Sequence, residues 1–76
     1  MTKQEFINLI LDEIESEEAA TPETELMTFP QWDSMASMIT IGLALEHFDV
    51  VITAPQLAKC IYFDDILNLI SDDFSG

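Results

Sequence analysis

Among the side chains of this 76-residue chain that could supply a reactive group are Ser34, the single histidine His47 and the single cysteine Cys60. Ser34 and His47 stand at opposite ends of one predicted helix, which at about 1.5 Å per residue separates them by roughly 20 Å. A serine nucleophile needs its base within hydrogen-bond reach, about 3 Å. A pair of Cys60 with His47 stays geometrically open, but no spacing supports it. We therefore expect no catalytic residue and no enzyme, with His47 at a solvated helix end and Cys60 as a small core side chain.

Metal ligands are equally sparse. The chain has no cluster of cysteine and histidine that could hold zinc. The acidic pairs at 17–18, 64–65 and 72–73 lack the alternating oxygen ligands, the central glycine and the closing glutamate of a calcium-binding loop. The sequence predicts weak cation association with an acidic surface and no dedicated metal site.

The charge balance excludes two classes of partner. Fifteen acidic residues stand against two basic ones, Lys3 and Lys59, and the net charge is −13. Binding to nucleic acid or to an anionic membrane surface requires clusters of lysine or arginine, so neither is expected. The negative field either attracts partners with basic surfaces or only keeps a small protein in solution, and the composition leaves both open.

The chain also lacks signals for export or membrane insertion. Its most apolar stretch, residues 35–45, is far shorter than the roughly 20 residues of a membrane span. No basic region followed by an apolar run marks a signal peptide. A lone cysteine permits no internal disulfide, which fits a reducing compartment. We expect a cytoplasmic monomer.

Apolar spacing predicts an all-α domain over residues 1–76, an antiparallel bundle of three main helices and one short helix. The predicted elements are helix one at 2–16, a long loop at 17–33, helix two at 34–47, a short helix at 55–60, helix four at 63–71 and a tail at 72–76. Thr2 and Glu5 have the spacing of a capping box at the start of helix one. Pro55 suits the first turn of the short helix.

Two predictions concern how apolar side chains are used. In helix two, one buried stripe is expected to consist of Met38, Ile41, Leu45 and Phe48. The long loop is expected to lie on the surface, anchored by Leu26, Met27, Phe29 and Trp32. A structureless loop of this length is uncommon in a small domain and often has a function.

The start of helix two is a favourable place for an anion. Its first backbone N–H groups have no partner in the helix, and the helix dipole adds about half a positive charge there. A phosphodiester on the Ser34 hydroxyl would be stabilised by both. The alternative is that Ser34 only caps the helix, a role that Asp33 could also take.

The sequence around this serine resembles the acyl carrier and peptidyl carrier protein family. The family motif is Asp-Ser-Leu at the start of helix two, often preceded by Trp, and this chain has residues 32–35, Trp-Asp-Ser-Met. Fourteen residues after the serine the family has Phe followed by Asp or Gly, here Phe48 and Asp49, and then an extended Ile, here Ile52. The resemblance covers nearly the whole chain and implies an acyl-carrier-like bundle.

The resemblance further implies a covalent 4′-phosphopantetheine group on Ser34. A phosphopantetheinyl transferase would attach it from coenzyme A, with Asp33 taking part in transferase recognition. The arm would carry acyl or aminoacyl thioesters between a loading enzyme and a downstream synthase or transferase. Such carriers serve fatty acid, polyketide or nonribosomal peptide biosynthesis.

Helix two departs from its relatives in two ways. Where fatty-acid carriers display acidic residues that basic partners recognise, this chain has Ala36 and Ile39. Relatives also have a large apolar residue four positions before the Phe and a polar one three before, whereas Ala44 and Leu45 reverse that order. Both departures indicate a specialised carrier.

The first departure suggests a hydrophobic docking face for a dedicated partner, formed by Met35, Ala36, Ile39 and Leu43. The alternative is that the helix is rotated and some of these residues belong to the core. Two other functions stay open: an unmodified acidic adaptor that docks through helix two, and a relative of the carriers that has lost the arm.

Overall fold

Four helices follow one another in the computed structural model, which describes residues 2–70. They are α1 (Lys3–Glu13), α2 (Ser34–Phe48), α3 (Ala54–Ala58) and α4 (Phe63–Ile70). No strand is present in the described range, where an isolated antiparallel bridge joins Glu25 to Tyr62. The predicted all-α class is therefore confirmed. The predicted tail at 72–76 and the last residue of predicted helix four lie outside the described residues.

Helix α1 begins at Lys3, one residue after the predicted start, with Thr2 in its predicted capping role, and it ends earlier than predicted. The Thr2 hydroxyl accepts a hydrogen bond from Glu5 N–H at 3.1 Å, and the Glu5 carboxylate accepts one from Thr2 N–H at 2.8 Å. The predicted end at residue 16 is wrong because Glu15 adopts a left-handed conformation, with φ of 55°. Ser16 N–H then donates to Leu11 O at 2.9 Å, a closure that terminates a helix by satisfying its last carbonyls.

The core takes side chains from all four helices and from the long connection. Phe6 and Phe48 meet edge to face, with ring centroids 5.6 Å apart, and so join α1 to α2. Together the buried apolar side chains are Phe6, Ile7, Ile10, Ala20, Leu26, Phe29, Leu43, Ala44, Ile52, Leu57, Phe63, Ile66, Leu67 and Ile70. No helix within residues 2–70 has the length and apolar character to cross a bilayer.

The predicted buried stripe of α2 is wrong. Met38 and Leu45 are 72% and 49% exposed, while Ile41 and Phe48 are only half-buried. The buried residues are instead Ala36, Thr40, Leu43 and Ala44. The helix turns its smaller side chains inward, and its one buried hydroxyl, on Thr40, is satisfied by donating to Ala36 O at 2.8 Å. Because α2 is apolar on nearly every side, its periodicity did not fix its rotation.

The connection between α1 and α2 is held against the segment before α4. Leu26 N–H donates to Ile61 O at 2.8 Å, and Phe63 N–H donates to Thr24 O at 3.1 Å. Leu26 and Phe29 are buried and Trp32 is half-buried, as predicted for anchors. Met27 is 93% exposed, so its predicted anchoring role is wrong.

The remaining boundaries differ from the predicted ones by one or two residues. Helix α2 extends to Phe48 because Asp49, in a left-handed conformation with φ of 56°, closes its last turn. Residues 49–53 form the expected extended link, with Ile52 buried. Helix α3 begins one residue before the predicted start, with Pro55 in its first turn, and is shorter than predicted.

Candidate functional site around Ser34

Ser34 is the first residue of α2, and Asp33 caps the helix. Asp33 has extended backbone, and its carboxylate accepts a hydrogen bond from Ala36 N–H at 2.9 Å. The first helical bond runs from Ser37 N–H to Asp33 O at 3.0 Å. Of the two candidates for the N-cap, the structure therefore selects Asp33. The Ser34 hydroxyl has no capping role.

The Ser34 side chain is exposed, and within residues 2–70 no hydrogen bond engages it. The N–H groups of Ser34 and Met35 precede the first helical bond, so both stay available to an anion near this turn. The first turn of α2 contains no acidic residue, and the helix dipole adds positive potential. The free N–H groups and the helix dipole would stabilise a diester phosphate on this hydroxyl. The negative charge of the exposed Asp33 carboxylate would oppose that stabilisation.

Aromatic packing fixes the chain just before Ser34. The rings of Trp32 and Phe29 both meet Phe63 edge to face, with centroids 5.6 Å and 5.5 Å away. Trp32 N–H also donates to Phe29 O at 3.1 Å. Phe63 is fully buried at the start of α4, so the end of the long connection rests on the core. The packing of Trp32 and Phe29 on Phe63 thus fixes the chain just before Ser34 against the core.

A groove of about 270 Å³ lies beside Ser34, between the start of α2 and α3. Its lining residues are Trp32, Ser34, Ser37, Ala54, Leu57 and Ala58. Small side chains one helical turn apart on α3 leave room there. The groove can accept a narrow, partly apolar chain that starts at the Ser34 oxygen.

A larger cavity is lined by residues that precede Ser34 by 15 positions or more, and several of them are acidic. It has a volume of about 520 Å³ and lies at the end of α1, where Asp12, Glu15, Glu17 and Glu18 line it. Within residues 2–70 no group of three or more histidine, cysteine or acidic side chains is arranged to hold a metal ion. We assign no role to this cavity.

The other two reactive side chains lie outside the site. His47 is exposed in the last turn of α2, the opposite end from Ser34. Cys60 is half-buried, and its thiol contacts Gln56 O at 3.5 Å. Burial raises the pKa of the Cys60 thiol, and the nearby Asp65 carboxylate raises it further. Both effects keep the thiol protonated and weakly nucleophilic.

The predicted docking face of α2 does not form one surface. Met35 is 68% exposed, but Ala36 and Leu43 are buried and Ile39 is half-buried against the core. The prediction is wrong for Ala36 and Leu43 because the helix rotates them inward. The reversed pair at 44–45 follows the same rotation, with Ala44 fully buried and Leu45 half-exposed.

The exposed apolar side of α2 is a different set of residues, of which Met38 and Leu45 were predicted to be buried and Met35 to be part of the docking face. It consists of Met35, Met38, Gly42 and Leu45. A glycine among bulky apolar residues was the one signal that could have indicated an outward face, because a core position would be left unfilled by it.

Comparison with protein-family models, with curated proteins and with solved structures finds no match to this chain. The feature to be explained is an exposed serine at a helix start whose capping is done by its neighbour.

Proposed function

We propose that this chain is a carrier protein that holds acyl or aminoacyl thioesters on a phosphopantetheine arm attached to Ser34. The observation that supports the proposal is that two neighbouring residues at the start of α2 have different roles. Asp33 caps the helix, and Ser34 presents an exposed hydroxyl next to unpaired backbone N–H groups. A serine that was needed only as a cap would occupy the position of Asp33.

The attachment is a phosphoryl transfer from coenzyme A. The Ser34 oxygen attacks the phosphorus that bears the pantetheine, the pyrophosphate bond breaks, and 3′,5′-ADP leaves. The hydroxyl proton passes to a base of the transferase, which also supplies the divalent metal. This chain contributes an accessible oxygen and positive potential at a helix start. The bound arm supplies the terminal thiol that forms the thioester.

The surroundings of Ser34 fit such an arm. The groove bordered by Trp32, Ala54 and Leu57 begins at the serine and has apolar walls. A tethered thiol that can lie there or swing out reaches several enzymes at high effective concentration. The resemblance of residues 32–35 and 48–49 to the acyl carrier and peptidyl carrier family supports the same interpretation, including the acyl-carrier-like bundle. Lipid or secondary-metabolite biosynthesis is the corresponding setting.

A second candidate function is an unmodified adaptor. The exposed methionines Met35 and Met38 on α2 favour it, since exposed apolar groups on a soluble domain often mark interaction surfaces. An adaptor would need no modification of Ser34.

One experiment separates the two. The purified chain is incubated with coenzyme A, magnesium and a phosphopantetheinyl transferase of broad specificity, and its intact mass is measured. The carrier gains one phosphopantetheine, Ser34→Ala gains none, and the matched control Ser37→Ala gains one. No gain by the wild-type chain with several transferases would overturn the carrier proposal in favour of the adaptor.

A further inference from the structure

Asp33 holds the start of α2 with two different groups. Its backbone carbonyl accepts a hydrogen bond from Ser37 N–H at 3.0 Å and another from the Ser37 hydroxyl at 3.2 Å. Its carboxylate accepts a single hydrogen bond within residues 2–70, from Ala36 N–H at 2.9 Å. The carbonyl bonds keep the helix start in place, whereas the carboxylate bond depends on one exposed side chain. The side-chain cap can therefore open without unwinding the helix.

The backbone before Asp33 is fixed independently of this cap. Trp32 packs on Phe63 with ring centroids 5.6 Å apart, and Trp32 N–H donates to Phe29 O at 3.1 Å. Rotation of the Asp33 side chain breaks one hydrogen bond and disturbs none of this packing. Because the carboxylate is exposed, water replaces the hydrogen bond that it loses.

A diester phosphate on Ser34 would weaken this cap. The Ser34 hydroxyl is exposed and belongs to the next residue in the chain, so the phosphate adds a negative charge close to the Asp33 carboxylate. It also adds acceptor oxygens near the first N–H groups of the helix, which makes two acceptors available to Ala36 N–H. Like charges so close together repel. Within residues 2–70 the ion pair joins Lys3 to Asp64, and no lysine pairs with Asp33 to offset the repulsion.

We propose that attachment of the arm to Ser34 displaces the Asp33 carboxylate from Ala36 N–H, so that Asp33 caps α2 only while the serine is unmodified. Ala36 N–H is then available to the phosphate. The freed carboxylate lies in water beside the diester, and the two neighbouring charges mark the modified chain. In the unmodified chain, the carboxylate is bound to its own backbone. This regulation of the site rests on the proposed carrier function.

The test compares thermal melts of the unmodified chain and of the chain fully modified with coenzyme A and the broad-specificity transferase, with the added mass confirmed for each variant. Asp33→Ala should lower the melting temperature of the unmodified chain by roughly 4–8 °C, the shift expected for one lost cap in a domain of this size. In the modified chain, the same substitution should lower it by less than half as much or raise it, because the carboxylate no longer caps the helix.

Two further variants separate the charge of Asp33 from its hydrogen bond. Asp33→Asn keeps an acceptor without the charge. We expect it to change the melting temperature of the unmodified chain by less than about 2 °C and to raise that of the modified chain by about 2 °C or more, because it removes the repulsion. The matched control is Glu46→Gln, which removes the same charge from an exposed residue of α2 roughly 18 Å from Ser34. Its effect should be equal in both forms.

Hydrogen exchange of the Ala36 amide reports directly on the displaced bond. In the unmodified chain, Asp33→Ala should speed the exchange of this amide by about 5-fold, the factor that corresponds to the loss of one capping bond. In the modified chain, Asp33→Ala should leave the exchange rate within about 2-fold, because the carboxylate no longer accepts from this group.

The outcomes separate the two proposals. Equal effects of Asp33→Ala on the modified and the unmodified chain, in melting temperature or in Ala36 exchange, overturn the displacement and leave the carrier function intact. If Glu46→Gln differs between the two forms as much as Asp33→Asn does, overall charge is the cause and the displacement is again overturned. A wild-type chain that gains no arm overturns the carrier function and this inference with it.

Discussion

Trp32 packs edge to face on Phe63, with ring centroids 5.6 Å apart. This contact joins the residue two positions before Ser34 to the first residue of α4. The contact makes the last part of a long connection a fixed support for the start of α2. Under the proposed carrier function, this support would present Ser34 in one place to the enzymes that act on it.

Replacing Trp32 should weaken both the fold and the site. Trp32 is only half-buried, so Trp32→Ala should lower the free energy of unfolding by about 2 kcal/mol, less than the 3–5 kcal/mol typical of a fully buried aromatic. Trp32→Phe keeps an aromatic ring in contact with Phe63. It should therefore lower the free energy of unfolding by less than half as much as Trp32→Ala. Urea denaturation followed by circular dichroism measures both. Equal stability of Trp32→Ala and wild type would contradict the anchoring role.

Asp33 combines a cap with a negative charge, and two substitutions separate them. Asp33→Ala removes the acceptor for Ala36 N–H and should cost about 1 kcal/mol of stability. Asp33→Asn retains an acceptor and should be nearly neutral for stability. If the carboxylate also serves transferase recognition, Asp33→Asn still slows modification. Thermal melts and the rate of mass gain distinguish the effects, and a fully stable Asp33→Ala would show that the cap does not contribute.

Glu15 adopts a conformation that favours glycine. Its φ of 55° costs a residue with a side chain about 1 kcal/mol, so Glu15→Gly should raise stability by roughly 0.5–1 kcal/mol. The control Glu17→Gly removes the same charge from an exposed residue of the following loop and should not stabilise. Chemical denaturation of the wild type and both variants measures these differences in the free energy of unfolding. A stabilisation of equal size in both variants would assign the effect to charge repulsion.

Asp65 should make stability sensitive to acid. Its carboxylate accepts hydrogen bonds from the N–H groups of Tyr62 and Ile61, at 3.0 Å each, and these hold the pKa of Asp65 below its ordinary value. A lowered pKa in the folded state means that the stabilisation is present above the unfolded pKa and is lost as the pH falls through the folded pKa. Asp65→Ala should therefore be less stable than wild type at pH 7, and the gap should close as the pH falls below the ordinary range for aspartate.

Because Asp65 is only half-buried, water screens the effect and the gap at pH 7 should be small. The comparison of wild type and variant at each pH cancels the general effect of a net charge of −13. A stability difference between wild type and Asp65→Ala that stays constant at pH values below the ordinary range for aspartate would contradict the role of the carboxylate.

The sequence predicted where helices begin better than where they end. Starts carry local chemistry, such as the reciprocal Thr2 and Glu5 capping bonds, which depend on nearby residues only. The end of α1 depends on Glu15 taking a left-handed conformation, which no glycine marked. The rotation of α2 was not predictable because apolar residues lie on all its sides, so the rest of the core decides which ones are buried.

The candidate site was predictable in part. The pairing of Asp33 with Ser34 before a helix located the site, but the sequence did not say which of the two caps the helix. The groove beside Ser34 depends on Ala54 and Leu57, which come from α3 and are brought close only by folding. The outward position of Met38 was likewise a result of tertiary packing.

The proposed carrier function requires that one phosphopantetheine arm is attached to one serine, Ser34. Fragmentation of the modified chain in a mass spectrometer locates the added group directly. We expect a single phosphopantetheine, released as its characteristic pantetheine fragment, on Ser34 and on no other residue. An arm on Ser37, a mass gain that survives Ser34→Ala, or a wild-type chain that transferases leave unmodified would contradict it.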